Sequence, residues 1–120
     1  MKHMTRKTFL QVFPLLVALP LLLFGQVKDG AKQIFPAGTA VPLGSSEKCV
    51  WVTVQADPDN AGDVYVGDST VSATRGSALA PGGSVHFGDV DFQEVYNLSE
   101  IYVDAATNND SVRYVYFVRP

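Results

Sequence analysis

The residues with the clearest chemical potential form one short acidic run, Asp57-Pro58-Asp59-Asn60-Ala61-Gly62-Asp63, with Asp68 five positions on. Carboxylates at the first, third and seventh positions, glycine at the sixth and an acid at the twelfth follow the spacing of a helix-flanked calcium loop. A hard cation needs several oxygens converging from one tight turn. The match has gaps: Ala61 stands where a ligand belongs, Asp68 replaces a bidentate glutamate, and no helical period flanks the run. The same residue types also make a turn between two strands, because Asp and Asn side chains bond their own backbone and glycine relaxes it. Calcium on Asp57, Asp59, Asp63 and Asp68, or a plain turn, are both open readings, and no other cofactor is called for.

Catalytic chemistry is thinly supplied. After the N-terminal segment His86 is the only histidine, and no motif places a serine or cysteine nucleophile beside it. Gly-rich phosphate loops, His-Glu-x-x-His and Gly-x-Ser-x-Gly are missing. The single cysteine, Cys49, lies in an apolar run; alone, it makes neither an internal disulfide nor a cysteine-based zinc site, and it reads as a buried thiol. Residues 34–120 carry eleven carboxylates against four Lys or Arg, a balance of −7, although the whole chain is only −3. So acidic a body argues against a nucleic-acid face, which needs basic groups to displace phosphate counterions. The expectation is a protein that is not an enzyme. Trp51 and tyrosines 65, 96, 102, 114 and 116 could stack on sugars, or simply form strands and core.

The elements that must position these groups are short strands. From Lys48 the period is two, with Val50, Val52 and Val54 on one side and Cys49, Trp51, Thr53 and Gln55 on the other. Asp63 to Val66, Thr70 to Ala73, Ser84 to Phe87 and Ile101 to Val103 follow, separated by turn residues. A last run then alternates Val112, Tyr114, Tyr116 and Val118 against Arg113, Val115 and Phe117. Such spacing predicts a mainly β fold, an antiparallel sandwich or jelly-roll-like barrel. Its expected packing residues are Val50, Trp51, Val52, Val54, Tyr65, Ile101, Tyr102, Tyr114 and Tyr116.

Ahead of this lies a different kind of segment. Behind a basic start, Lys2, Arg6 and Lys7, the chain runs apolar from Phe9 to Phe24 with Gln11 as its one strongly polar residue. Its large side chains are Phe9, Leu10, Val12, Phe13, Leu15, Leu16, Val17, Leu19, Leu21, Leu22, Leu23 and Phe24. Extended to Val27, a helix of this length covers about 30 Å, the thickness of a bilayer core. The basic flank then keeps the N-terminus inside and the acidic body across the membrane. A hydrophobic arm buried between subunits, a cleaved secretory signal and a pilin-like anchor are the alternatives. The cleavage rule fits badly here. For the pilin reading, the glycine and glutamate around the cut are missing, and Pro14 and Pro20 would kink the helix. The expected organisation is residues 1–27 as anchor, 28–46 as Gly/Pro linker, and 47–120 as the β domain, preceded by one hydrophobic helix.

Several stretches, in order, resemble a recurrent type of small tailed-bacteriophage structural protein. They are Ala37-Gly-Thr-Ala-Val41, the Cys49-x-Trp-Val52 strand, Val64-Tyr-Val-Gly67, the Leu79-Ala-Pro-Gly82 turn, and Ile101-Tyr-Val-Asp104 before a closing aromatic strand. The resemblance spans Ala37 to Phe117; those relatives begin near the sandwich and carry no apolar segment. It implies a virion component built as a small β-sandwich without catalysis, with Trp51 and Tyr65 as packing positions and Gly67 and Gly82 as turn positions. Its partners would be other virion proteins in a multi-copy assembly, with a lipid membrane a further possible partner for the apolar segment. A bacterial envelope-anchored module that recognises a glycan or a partner protein is the competing expectation.

Overall fold

The structure is a computed structural model that describes residues 24–88 and 95–120. The apolar segment up to Leu23, and the helix expected there, lie outside the described residues. What is described is mainly β, in antiparallel sheets. Strands β1 (Gln26–Gln33), β10 (Ser111–Val118), β4 (Trp51–Ala56) and β7 (Ser84–Phe87) form one four-stranded sheet in that order. A second contains β2 (Val41–Pro42), β9 (Tyr102–Ala105), β5 (Val64–Gly67) and β6 (Ser77–Leu79). The short strands β3 (Lys48–Cys49) and β8 (Tyr96–Asn97) pair separately, and Leu98–Glu100 make one 3-10 turn capped by Asn97.

Alternation decides which face is buried. Val52, Val54 and Ala56 of β4 and Val112 and Tyr116 of β10 point inward from the first sheet. Val64 and Val66 of β5, Leu79 of β6, and Val103 and Ala105 of β9 point inward from the second. All belong to one hydrophobic cluster with Ile34, Leu43, Cys49, Leu98 and Ile101. β-branched side chains suit this pleated, half-buried surface, and removing them from water is the main force holding the sheets together.

Four sequence expectations need correction. The segment 28–46 is not a linker: its first residues form most of β1, which pairs along the whole of β10, while Ile34 and Leu43 are fully buried. Gly30, in the middle of β1, faces Tyr114, and a side chain there would overlap the phenol ring. An aromatic laid over a strand glycine covers the exposed backbone, so a run with no apolar alternation still forms a strand. Second, residues 70–73 are not a strand. Asp68 bonds the amide and hydroxyl of Thr70, Ser72 and Arg75 close a turn, and the next strand begins only after Gly76, at φ +101°. Third, Trp51, Tyr65 and Tyr102 are half-buried on outward faces, since their neighbours Val52, Val64, Val66 and Val103 take the inward positions. Fourth, Val50 stands between β3 and β4, donating its amide to the Phe117 carbonyl, so Cys49 and Val50 are both buried. Gly82 does occupy a turn, at φ +84°.

Candidate functional site

The register of the first sheet sets its solvent face out as a grid across β1, β10, β4 and β7. One row is Val27, Phe117 and Trp51; the next is Asp29, Val115, Thr53 and His86; the next is Ala31, Arg113, Gln55 and Ser84. The face therefore runs from apolar to polar along the strands. At the apolar end the Trp51 and Phe117 rings stack, with centroids 6.3 Å apart and planes at 11°, and His86 lies 5.9 Å from Trp51 on the other side. Val27 is 61% exposed and Val115 37%. This is the end at which the chain enters β1, and Phe24, the last residue of the apolar run, is 72% exposed there.

Beside the aromatic row the face dips into an open concavity of about 570 Å³, lined by Asp29, Ala31, Thr53, Gln55, Arg113 and Val115 among others. His86 Nδ1 bonds Thr53 Oγ1 at 2.7 Å. This is a cross-strand pair of the kind that supports a sheet, and among the described residues no carboxylate bonds the other ring nitrogen to orient it. The thiol of Cys49 is buried, and desolvation, helped by the charge of Glu47, pushes it up to about 11, so it stays protonated.

On the inner side of the same strands Glu47 joins two elements. Lys28 Nζ lies 2.7 Å from Glu47 Oε2, and the Tyr116 hydroxyl donates to Glu47 Oε1. The hydrogen bonds from Lys28 and Tyr116 hold the Glu47 carboxyl below the usual carboxylate range. The same bond, with burial, pushes Tyr116 up to about 12, while burial and then the Glu47 charge raise Tyr114.

The acidic run does not assemble as a calcium loop. Asp57 Oδ1 accepts from the Asp59 amide at 3.0 Å, while Oδ2 faces Ser111 Oγ and Arg113 Nη2, each at 3.4 Å. The Asp59 amide, followed by the Arg113 charge and the two side-chain bonds, holds Asp57 low against some desolvation. Asp59 and Asp63 are exposed, and Asp68 is spent on Thr70, whose two bonds lower its carboxyl. Among the described residues no three His, Cys, Asp or Glu side chains come together as a cation set. The turn is closed by a residue the sequence did not single out. Asp110, 7% exposed, accepts from the Ala61 amide on Oδ1 at 3.0 Å and the Gly62 amide on Oδ2 at 2.9 Å. Asn60 adds a reciprocal pair of bonds with Ser111.

A second buried carboxylate, Asp104, was also missed. It sits on the outward side of β9 opposite Tyr65, yet is only 2% exposed because residues 37–38 and 72–73 rise around it. The available signal was an aspartate inside an otherwise β-favouring run, Tyr102-Val-Asp-Ala105, where that residue is normally depleted.

No helix among the described residues is long and apolar enough to cross a membrane. No family model matches the chain, and no curated protein matches it. Among solved structures it is similar to a solution NMR structure of a de novo designed double-stranded beta-helix. The identity is 15%, the match covers 77% of this chain and 97% of that one, and the TM-score is 0.39, a likeness that fixes neither topology nor activity.

Proposed function

We propose that the chain is a noncatalytic structural protein of a bacteriophage virion, a decoration or adaptor subunit associated with capsid, vertex or tail. Its hydrophobic N-terminus fixes it in a membrane or between neighbouring subunits. Its two four-stranded sheets form an antiparallel β-sandwich, a reading supported by the single cluster to which both inner faces contribute. The observation that carries the attachment role is the outward row of exposed Val27 with half-buried Phe117 and Trp51, at the end of the sheet where the chain enters β1. An apolar patch at the end where an apolar stretch of sequence leads into the sheet is a surface that water disfavours and a neighbouring subunit or lipid covers. Virion symmetry repeats each component, so several copies act together.

The dip beside the aromatic row, with polar Thr53, Gln55 and Arg113 on its lining, supports a second reading, an envelope-anchored module in which these residues recognise a glycan or partner protein. One experiment separates the two: mass spectrometry of purified particles of the encoding phage, before and after solvent extraction, following the intact chain. Finding it in the particle and losing it with lipid supports the membrane-anchored form; retention with the shell supports the subunit-locked form. Absence from particles overturns the virion reading and favours the envelope module.

A further inference from the structure

The outer face of the second sheet holds a cleft of about 390 Å³, separate from the aromatic row, with Asp104 at its base. Its walls are small or aromatic: Ala37, Gly38, Ala73, Ala106 and the Tyr65 ring, with Ser72 at one side. Asp104 Oδ1 is fully used, accepting the Gly38 amide at 2.9 Å and the Ala105 amide at 2.8 Å. Oδ2 has no hydrogen-bond partner, and no Lys, Arg or His of the described residues pairs with the carboxylate. The residue is only 2% exposed, yet no buried side-chain oxygen among the described residues lacks a partner, so Oδ2 reaches solvent through the cleft and is available to a donor that enters it.

We infer that this cleft is a binding site for a primary alkylammonium group, its nitrogen on Asp104 Oδ2 and its stem along Tyr65 and the alanine walls. The chemistry selects among cations. A divalent metal needs several oxygens at once, and among the described residues no group of three His, Cys, Asp or Glu side chains gathers at Asp104. A guanidinium favours both oxygens of a carboxylate in a fork, and Oδ1 is already taken by two amides. An ammonium is a compact point charge that needs one strong acceptor and gains from an aromatic face. The acidic body raises the local concentration of such a cation. The ligand is then a lysine side chain of a neighbouring subunit or a free diamine, two sources of one chemistry.

The test is an NMR titration of the ¹⁵N-labelled full chain in non-ionic detergent, with doubly capped lysine, putrescine and, as control, doubly capped norleucine. The Gly38 and Ala105 amides, which report directly on Asp104, shift saturably with an amine and stay still with norleucine. Asp104→Asn, which keeps an oxygen for those two amides, weakens binding about tenfold or more. Ala73→Phe narrows the cleft without altering Asp104 and has the same effect. Response to capped lysine assigns the site to a neighbouring subunit, and response to putrescine alone assigns it to a free diamine. No saturable shift at ~10 mM of either amine, an equal response to norleucine, or undiminished binding by both variants overturns the inference.

Discussion

Asp110→Asn is the perturbation that separates a braced turn from a cation loop. In the native turn each carboxylate oxygen receives one backbone amide, from Ala61 and from Gly62. Asparagine offers one oxygen, so one amide keeps a neutral acceptor and the other faces an NH₂ donor. A hydrogen bond to a charged group contributes ~1.5–3 kcal/mol, and a buried donor left without an acceptor costs ~1–3 kcal/mol. Ala61 is itself exposed, which lets water recover part of the loss, so the net cost is about 1.5–3 kcal/mol. For a domain of this size each kcal/mol moves Tm by ~4–8 °C, which puts the fall at about 6–24 °C. The assay is thermal unfolding of the full chain in detergent, followed by near-ultraviolet circular dichroism, with Asp59→Ala beside it. Asp59 is exposed, and its substitution stays within ~0.5 kcal/mol. Added calcium leaves both transitions where they are. A fall of less than about 3 °C for Asp110→Asn, or a calcium-dependent rise that Asp59→Ala abolishes, would refute the reasoning and restore the cation loop.

Ile34→Ala, at a fully buried position in the segment read from sequence as linker, costs about 2–5 kcal/mol in chemical denaturation, whereas a true linker would be indifferent. The Glu47 cluster sets two limbs of the stability profile. Glu47 lies below its ordinary value of 4.5 when folded, so its contribution is present above that pH and is lost as pH falls through the lowered folded value. Tyr116 is raised from 10.0 to about 12, so its contribution is complete below pH 10 and is lost between 10 and 12. Tyr116→Phe therefore flattens the alkaline limb in a pH series of unfolding curves, and an unchanged limb counts against the Glu47 bond. Replacing Trp51 and Phe117 together with serine leaves the sheet folded but weakens incorporation into particles, read as chain per particle by mass spectrometry; full incorporation removes the aromatic row from the attachment surface.

How much was legible in the sequence follows from what each element depends on. The strands β4, β7 and β10 carry their own alternation, and the run Ser84 to Phe87 coincides with β7. In contrast β1, Gln-Val-Lys-Asp-Gly-Ala-Lys-Gln, has no apolar period; it is a strand because β10 offers a ladder and Tyr114 a cover for Gly30. Lys28 and Lys32 on such an edge also discourage further strand pairing. The outward turn of Trp51, Tyr65 and Tyr102 was hidden because an aromatic in a strand satisfies the same pattern facing either way. Asp104 and Asp110 were hidden for a different reason: the amides that bury them come from Gly38, Ala61 and Gly62, 48 to 66 positions away along the chain.

Those buried carboxylates also bear on how an acidic domain with a small valine-rich core would offer the two attachment surfaces proposed above. The inner faces of both sheets feed one cluster, and in the proposed sandwich their outer faces point away from each other. The first sheet presents an apolar row at the end where the chain enters β1, where desolvation is the driving force and geometry is loosely specified. The second presents a recessed anion, where a single cationic group at one position sets the register and misplacement leaves a charge unpaired. In the multi-copy assembly proposed above this division serves each subunit, since the apolar contact supplies strength without direction and the anion supplies direction with little area. In a multi-copy assembly, Asp104→Asn should therefore loosen the order of the array, and the Trp51 and Phe117 double change its occupancy.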